Sequence, residues 1–236
     1  MQKKVAQPEC EHCQARYKSI FCSIGQDQVH ELDTTKHCQH FKKGQVIFSE
    51  GSRPHGLYCV NSGKVKLTML GDEGREQIVH LAKDGDIMGY RALLSNDTYS
   101  LTATALEDAS VCFIPRSTFF GLVEKNASLS LQLIKLLSSE LRSAERQITD
   151  LAQKPVRERL AEALLFIKET YGFEADGQTL NVTMTREEIA NIVGTATETV
   201  IRLLSDFKTD KLIGLNGKKI KVLDLAKLIR TANMSD

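Results

Sequence analysis

The stretch "TREEIANIVGTATETVIRLLSDFKTDKLIGLNGKKIKVL", residues 185–223, has the most informative pattern in the chain. Apolar residues recur at helical spacing on both sides of Gly194, and glycine commonly ends a helix. Two short strands are predicted around Asn216-Gly217, a dipeptide favoured in tight hairpin turns. Two helices joined at a glycine and followed by a small hairpin indicate a winged helix-turn-helix.

The starts of both helices are predicted from their capping residues. Thr185 is followed three positions later by Glu188, and Thr195 is followed in the same way by Glu198. A threonine and a glutamate at this spacing form a capping box, in which each side chain binds the other residue's backbone N–H. We therefore expect one helix to begin at each threonine.

The second helix has one apolar and one polar surface, and the polar one suits base reading. Helical spacing turns Val200, Leu203 and Leu204 inward and gives one outer surface to Thr197, Glu198, Ile201 and Arg202. A glutamate can accept a hydrogen bond from cytosine and an arginine can donate two to guanine. Candidates for phosphate contacts are Thr185, Thr195, Thr199, Lys218 and Lys219.

Charge supports a polyanion partner at this end of the chain. Residues 197–230 contain eight Lys/Arg against four Asp/Glu, a net charge of +4, whereas the whole chain carries +1. Basic side chains on a helix-turn-helix favour double-stranded DNA as the partner. Glu198 as a mere helix cap and Arg202 as an ordinary surface charge are the alternatives.

Composition indicates a globular, cytoplasmic protein that does not enter a membrane. The 236 residues are 42% hydrophobic, enough for two modest domains. No run of about 18 apolar residues occurs, and no apolar run follows the two lysines near the start. Secretion and membrane spanning are therefore not expected.

Ahead of the helix-turn-helix the sequence predicts a sheet domain and then a long helix. Residues 41–115 alternate short apolar runs with glycine turns, a pattern typical of an antiparallel sandwich or barrel. A glycine-free helix is predicted over residues 129–153, and Pro155 starts another helix that ends at Gly172. The long helix has a coiled-coil seam at Ile134, Leu137, Leu141, Ala144, Ile148 and Leu151. The seam indicates a homodimer; packing of the helix against its own sandwich is the alternative.

Three of the chain's six cysteines lie in "CEHCQARYKSIFC", residues 10–22. A reducing compartment keeps thiols free, so closely spaced cysteines there are more often metal ligands or redox groups than disulfides. His12 could join them in a zinc site. Cys59, in an apolar run, is interpreted as a small buried hydrophobe.

Over about residues 8–225 the chain contains "KKGQVIFSEGSRPHGLYCVNSGKVKL", "GDIMGY", "VCFIP", "ERLAEALL", "LNVTMTREEIANIVGTATETVIRLL" and "GKKIKV". In these segments lies its resemblance to the Crp/Fnr family of bacterial transcription regulators. It implies an α+β protein with a cyclic-nucleotide-binding-type β-roll, a dimerisation helix and a C-terminal winged helix-turn-helix that reads a palindromic site. Domains are expected at 1–24 (cysteine segment), 25–125 (β-roll), 126–153 (dimerisation helix) and 154–236 (DNA binding).

The resemblance also indicates which ligand the β-roll is not expected to bind. Members that bind cyclic nucleotides hold the ribose with a Gly-Glu pair and the phosphate with an Arg-Ser pair. Here the matching positions are Gly89-Tyr90 and Tyr99-Ser100, which lack the carboxylate and the guanidinium. A buried phosphate without its arginine would be poorly compensated. No cyclic nucleotide is therefore expected as ligand.

The oxygen-sensing Fnr branch of the family instead carries cysteine ligands at the positions that match Cys10, Cys13, Cys22 and Cys112. This match implies an iron-sulfur cluster of the 4Fe-4S type. Eight residues separate Cys13 from Cys22, more than in the branch's usual pattern, although a longer loop costs little closure entropy. Cys38 is an alternative third ligand.

The predicted function is dimeric, sequence-specific DNA binding controlled by an oxygen- or nitric-oxide-labile cluster, with RNA polymerase as a further partner. Glu198 and Arg202 match positions with which the family reads a TGA-like half-site. Zinc, a thiol redox switch, haem or no effector are the alternatives within the family. A thiol oxidoreductase using "CEHC" is the alternative from another class, but the helix and strand context of such an enzyme is missing. No enzymatic activity is expected.

Overall fold

The computed structural model describes residues 7–71 and 74–233. It begins with three short helical elements, α1 (Gln14–Lys18), a 3₁₀ helix (Ile20–Ser23) and α2 (Gln26–Thr35). Arg16 organises the first of them, because its guanidinium is buried and donates to the carbonyls of Cys10 and Phe21 at 2.7 and 3.1 Å. The cysteine segment is therefore folded, with polar anchors inside it.

Eight strands form a sandwich, as predicted for residues 41–115. They are β1 (His37–Phe41), β2 (Val46–Phe48), β3 (Gly56–Ser62), β4 (Val65–Leu70), β5 (Glu76–Ala82), β6 (Ile87–Met88), β7 (Thr102–Ala105) and β8 (Ala109–Pro115). One sheet has the order β1-β8-β3-β6 and the other the order β2-β7-β4-β5. β8 pairs antiparallel with both β1 and β3. The short helix α3 (Tyr90–Ser95) lies between β6 and β7 in sequence.

Helices α4 (Arg116–Lys125) and α5 (Ala127–Gln153) follow the last strand. Their fully buried Phe119, Leu122 and Leu129 pack with Leu57 of β3 and with Phe21 of the 3₁₀ helix in one apolar core. The sheet β1-β8-β3-β6, the cysteine segment and the start of the long helix thus share a hydrophobic core.

The predicted long helix is present as α5, and most of its apolar seam is uncovered in the single chain. Ile134, Leu141 and Ile148 are 59%, 62% and 68% exposed. Leu137 is half-buried and packs against the core of the β-roll, so the first half of the helix does lie against its own domain. Large apolar side chains such as isoleucine and leucine are usually buried in folded proteins. The exposed seam suits a second helix, and dimerisation stays a prediction.

The C-terminal elements are α6 (Val156–Tyr171), α7 (Arg186–Val193), α8 (Thr197–Thr209), β9 (Ile213–Asn216), β10 (Lys219–Val222) and α9 (Leu225–Thr231). Helix α6 begins after Pro155 and ends at Gly172, whose φ is +72°, as its sequence predicts. Two helices followed by a two-stranded hairpin confirm the winged helix-turn-helix.

The chain divides into two compact units, residues 1–69 with 82–140 and residues 70–81 with 141–236. The second unit therefore includes a segment from the middle of the chain. Across residues 7–71 and 74–233, no helix is both long and apolar enough to cross a membrane.

Candidate functional site

The first helix of the helix-turn-helix begins with the predicted capping box. Thr185 Oγ1 accepts a hydrogen bond from Glu188 N at 3.0 Å, and Glu188 Oε2 accepts one from Thr185 N at 2.8 Å. The helix ends at Gly194, which has a φ of +71° in the left-handed region that favours glycine. Thr185, a predicted phosphate contact, is half-buried at this start.

The second predicted capping box, Thr195 with Glu198, is wrong. Helix α8 starts one residue later, with Ala196 as its N-cap and no side-chain cap. The N–H of Thr195 is already used to close α7, since it donates to the carbonyl of Ala190 at 3.2 Å. Glu198 therefore has no capping role and is exposed on the first turn of α8.

Helix α8 turns its two surfaces as its sequence predicts. Val200, Leu203 and Leu204 are buried, and Phe207 joins them with no exposed area. Glu198, Ile201 and Arg202 are exposed, and Ile201 keeps 52% of its area in solvent. Thr197 and Thr199 are half-buried beside them. The exposed surface of α8 thus offers an acceptor, an apolar group and a guanidinium side by side.

The hairpin that follows presents Lys218 at its tip. Lys219 pairs with Asn216, so the turn consists of Gly217 and Lys218, one residue later than the predicted Asn216-Gly217. Gly217 has a φ of +57°, which suits the first position of a type II′ turn. Lys219 binds Glu174 at 2.8 Å, which leaves its ammonium partly neutralised.

Arg186 is a residue that the sequence interpretation missed in this surface. Its Nη2 donates to the carbonyl of Gly217 at 2.9 Å and so ties the hairpin to the first turn of α7. Burial lowers the pKa of its guanidinium, which nonetheless remains charged at neutral pH. Only its place directly after the capping threonine could have suggested a role.

The turn between α7 and α8 is held by donors from outside the helix-turn-helix. Arg159 of α6 donates to the carbonyls of Val193 and Gly194 at 3.2 and 3.4 Å. Gln77 of β5 donates to the carbonyl of Ile192 at 3.2 Å. These bonds satisfy carbonyls at the end of α7 that have no partner within the helix.

Three of the six cysteines form one row across the first sheet. The strand register places Cys112 of β8 opposite Cys38 of β1 on one side and opposite Cys59 of β3 on the other. Cys38 and Cys112 are joined in a disulfide. The side chains of directly opposed residues lie on the same surface of a sheet, so the three sulfur atoms share one surface.

The N-terminal segment crosses this row. The side chain of Gln7 binds both the backbone N–H and the carbonyl of Cys38, at 2.7 and 3.1 Å. Six residues later, the thiol of Cys13 donates to Asn61 Oδ1 on β3 at 3.3 Å. β8 lies between β1 and β3, so residues 7–13 pass over the strand that carries Cys112.

The four cysteines predicted as ligands are only partly brought together. Cys10 and Cys13 approach Cys59 closely enough to influence its ionisation. The thiol of Cys22 lies 3.9 Å from Gln132 of α5, and Cys112 is bound to Cys38. Within the described ranges, no three His, Cys, Asp or Glu side chains are grouped as metal ligands in this state. His12 does not join the cysteines as a zinc ligand here either.

The buried thiols resist ionisation in this state. Burial raises the pKa of Cys10 to about 11, even though the ammonium of Lys36 nearby opposes the change. Burial also raises the pKa of Cys59, more strongly, and the neighbouring Cys13 adds to that rise. Because their pKa values are raised, both are neutral thiols at pH 7. A cysteine binds metal only as the thiolate, so neither is ready to bind metal in this state. Cys59 is buried, as predicted, but it also lies beside the cysteine segment.

The two positions aligned with the cyclic-nucleotide contacts meet inside the sandwich. A Cβ on Gly89 would lie 2.8 Å from the ring of Tyr99. That ring stacks on Phe48 with a centroid distance of 4.2 Å, and its hydroxyl donates to the carbonyl of Gly56 at 3.2 Å. Tyr90 is buried as well. Tyr90 and Tyr99 thus stand at the positions where the cyclic-nucleotide-binding members have the carboxylate and the guanidinium.

Two family models match the chain. The cyclic nucleotide-binding domain matches residues 38–126, and the Crp-like helix-turn-helix domain matches residues 158–231. The FixK2 structure from Bradyrhizobium japonicum is similar, with a TM-score of 0.76, 26% identity, and coverage of 86% of this chain and 100% of that one. Fold and surface together define a DNA-binding transcription regulator with a cyclic-nucleotide-binding-type β-roll domain, a class that is not enzymatic.

Curated relatives extend over nearly the whole chain. The fumarate and nitrate reduction regulatory protein of Vibrio cholerae is 30% identical over 96% of this chain and 91% of its own length. The transcriptional activator protein Anr of Pseudomonas aeruginosa is 31% identical over 98% and 95%. The chain belongs to the Crp/Fnr family of transcription regulators.

Proposed function

We propose that this protein is a homodimeric regulator of the anaerobic response, whose cysteines hold an oxygen- or nitric-oxide-labile iron-sulfur cluster. The name of the Vibrio cholerae relative refers to fumarate and nitrate reduction, and that of another relative, from Aggregatibacter actinomycetemcomitans, to anaerobic regulation. The observation that carries the proposal is the course of residues 7–13, which bring Cys10 and Cys13 across the strand of Cys112. A sensor on this surface would act where the sheet and α5 share a core.

The proposed ligands are Cys10, Cys13, Cys22 and Cys112. Four thiols are the donor set that a 4Fe-4S cluster takes, so the chemistry of these side chains fits the group. Binding requires that the disulfide at Cys112 be reduced and that the segment carrying Cys22 move away from Gln132. When bound, the cluster supplies the reactivity towards oxygen or nitric oxide.

The chain's own residues would hold the sensor segment and pass its state to the dimer helix. Cys10 N donates to Asp33 Oδ1 of α2 at 2.7 Å, and Cys22 lies beside α5. Ordering of this segment therefore bears on the helix with the exposed seam. A signal can shift the dimer equilibrium only if it stabilises one of the two states more than the other.

In the dimer, two copies of α8 would meet successive major grooves, about 34 Å apart. Glu198 and Arg202 would read a TGA-like core, and the side chain of Ile201 would touch a thymine methyl. Thr185, Thr195, Thr197, Thr199 and Lys218 would position the protein on phosphates or neighbouring bases. RNA polymerase is proposed as the further partner of the bound dimer.

The test is anaerobic purification followed by an absorption spectrum and by iron and sulfide assays, repeated after admitting air. We expect a broad visible band with stoichiometric iron and sulfide that bleaches in air. Single Cys→Ser variants at the four proposed ligands should lose it. A Soret band in its place would identify haem.

The opposite result is equally clear. A colourless protein without iron or sulfide, still dimeric and bound to its DNA site in air, would contradict the cluster. Zinc in place of iron would assign the cysteine segment to a structural metal instead.

A further inference from the structure

We propose that Cys38 is a redox-active thiol that competes with the iron-sulfur cluster for Cys112. In one state Cys112 is a ligand, and in the other it forms the disulfide with Cys38 seen here. This inference rests on the proposed function and concerns its regulation. Cys38 would thus be a modification site, rather than a spare ligand for the third position.

The strand register alone makes the two roles of Cys112 exclusive. Cys38 and Cys112 are directly opposed on β1 and β8, 74 residues apart in sequence. A sulfur atom engaged in a disulfide has no thiolate to give to iron. Each molecule can therefore hold either the cross-strand bond or the fourth ligand.

Of the two cysteines opposite Cys112, Cys38 is the one suited to redox exchange. β1 is the edge strand of its sheet, and Cys38 is partly exposed. Cys59 lies on an inner strand and is only 8% exposed, beneath the N-terminal segment. Reaction with a small oxidant requires access, so Cys38 should be attacked first.

The reaction balances with a low-molecular-weight disulfide, RSSR, as oxidant. The Cys38 thiolate attacks one sulfur of RSSR, forms a mixed disulfide and releases RS⁻. The Cys112 thiolate then attacks the sulfur of Cys38 and releases the second RS⁻. Two thiols are oxidised to the protein disulfide, RSSR is reduced to two RSH, and the two protons pass to the released thiolates. An added dithiol reverses both steps.

The docked N-terminal segment is compatible with the disulfide. The amide of Gln7 binds the backbone of Cys38 at both its N–H and its carbonyl. The segment can thus stay against the sheet while Cys112 is withheld, which leaves Cys10, Cys13 and Cys22 without their fourth partner. The oxidised protein would keep its fold, but it could not bind a new cluster until the disulfide between Cys38 and Cys112 is reduced.

Tryptic mapping tests the exchange directly. Trypsin places Cys38 in residues 37–42, Cys59 in residues 44–64 and Cys112 in residues 92–116, so each pairing gives a different mass. After metal-free, reduced protein is treated with oxidised glutathione, we expect the 37–42/92–116 pair, which dithiothreitol should remove. Cys59→Ala, the matched control on the other side of Cys112, should still form it. A 44–64/92–116 pair in the wild type in place of the 37–42/92–116 pair, or no disulfide at Cys112 at all, would overturn the proposal.

Loaded protein tests the competition. With the cluster bound, the same treatment should give no 37–42/92–116 pair, and alkylation should label Cys38 but not Cys112. Removal of iron with a chelator should restore the pair. Formation of the pair to the same extent with iron and sulfide retained would overturn the competition.

Iron and sulfide content separates this inference from the proposed function. Reduced Cys38→Ser should bind as much iron and sulfide as wild type, because Cys38 is not a ligand; a loss of binding in this variant would overturn the inference. Reduced wild-type protein that takes up no iron or sulfide would contradict the proposed function itself. In that case the peptide pair would still show whether Cys38 and Cys112 exchange.

Discussion

Arg202 is the exposed side chain whose loss should most clearly change sequence discrimination. Arg202→Ala removes the guanidinium from the outer surface of α8 and leaves its buried surface intact. We expect specific binding to weaken by about 1–3 kcal/mol, with little change on random DNA. Fluorescence anisotropy with a TGA-containing palindrome and a scrambled duplex measures both.

A matched control for that variant lies on the same helix. Lys208→Ala removes an exposed positive charge from the last turn of α8 and should have a smaller effect on the specific site. Equal losses on specific and scrambled DNA for Arg202→Ala would contradict base reading and reduce Arg202 to a general cation.

Lys218 and Lys219 differ in a way that predicts different salt dependence. Lys218 is exposed at the tip of the hairpin, whereas Lys219 binds Glu174. If Lys218 contacts a phosphate, Lys218→Ala should weaken binding to all sequences and reduce the slope of log K against log salt by roughly 1. Lys219→Ala should change the slope less. A reversed order, measured by salt titration, would move the phosphate contact to Lys219.

Gly56 illustrates a residue whose smallness is required by a close approach. A Cβ there would lie 2.1 Å from the carbonyl oxygen of Ile114, in the neighbouring strand. Gly56→Ala should therefore lower the free energy of unfolding by about 1–3 kcal/mol through overpacking. Gly214→Ala, in another strand, is the control, since the atoms nearest to its Cβ position lie 3.6–4.0 Å away, at ordinary contact distance. Urea unfolding of both variants decides, and equal stability would show that β3 and β8 can separate.

At the residue scale, local signals predicted most but not all of the surface. The capping box of Thr185 could be predicted because its partners are three residues apart. The equivalent pattern at Thr195 was misleading, because the turn at Gly194 had already used the Thr195 N–H. Neighbouring motifs compete for the same backbone groups, and the sequence alone does not show which one wins.

The exposed apolar seam of helix α5 allows a prediction about the stability of the dimer. Ile148→Asp places a charge where a partner helix would bury an isoleucine, and such burial contributes about 1.5–3 kcal/mol per side chain. We expect the dimer to dissociate roughly tenfold or more readily, as measured by sedimentation equilibrium. Ser143→Asp, on the opposite surface of the helix, should leave the dimer intact. Equal dissociation of both variants, or of neither, would contradict the seam.

Among the strands, the sequence predicted their existence but not their pairing. Glycine turns and short apolar runs indicated a sandwich, and the structure confirms it. The opposition of Cys38 and Cys112 depends on the register between strands separated by 74 residues, which no local pattern encodes. The disulfide was therefore not foreseen, and a reducing compartment argued against it.

For the whole molecule we predict indifference to cyclic AMP. Tyr99 and Phe48 stack where the aligned nucleotide contacts would be, and no arginine stands at that position to hold the phosphate. Adding cyclic AMP should therefore change neither the melting temperature nor the affinity for DNA. Calorimetry and anisotropy measure these, and a saturable rise in either would require another site for the nucleotide.

The order of the large parts along the chain was predictable because each part has its own periodicity. Strand alternation, a coiled-coil seam and a helix-turn-helix are all local patterns. The grouping of residues 70–81 with residues 141–236 was not predictable, since it depends on contacts between distant segments. Gln77, which reaches the carbonyl of Ile192, is one of these contacts.

The hydrogen bond from the Gln77 amide to the carbonyl of Ile192 limits where the chain can be divided into fragments. A fragment starting at residue 154 would keep both helices of the DNA-reading motif but would lose the donor from Gln77 to Ile192. In this fragment the carbonyl of Ile192 would have to accept a hydrogen bond from water instead. Residues 154–236 are consequently not a module that can be transferred unchanged to another protein. A chimera that joins them to a foreign sensor would need a glutamine-like donor from its new neighbour to keep the same turn.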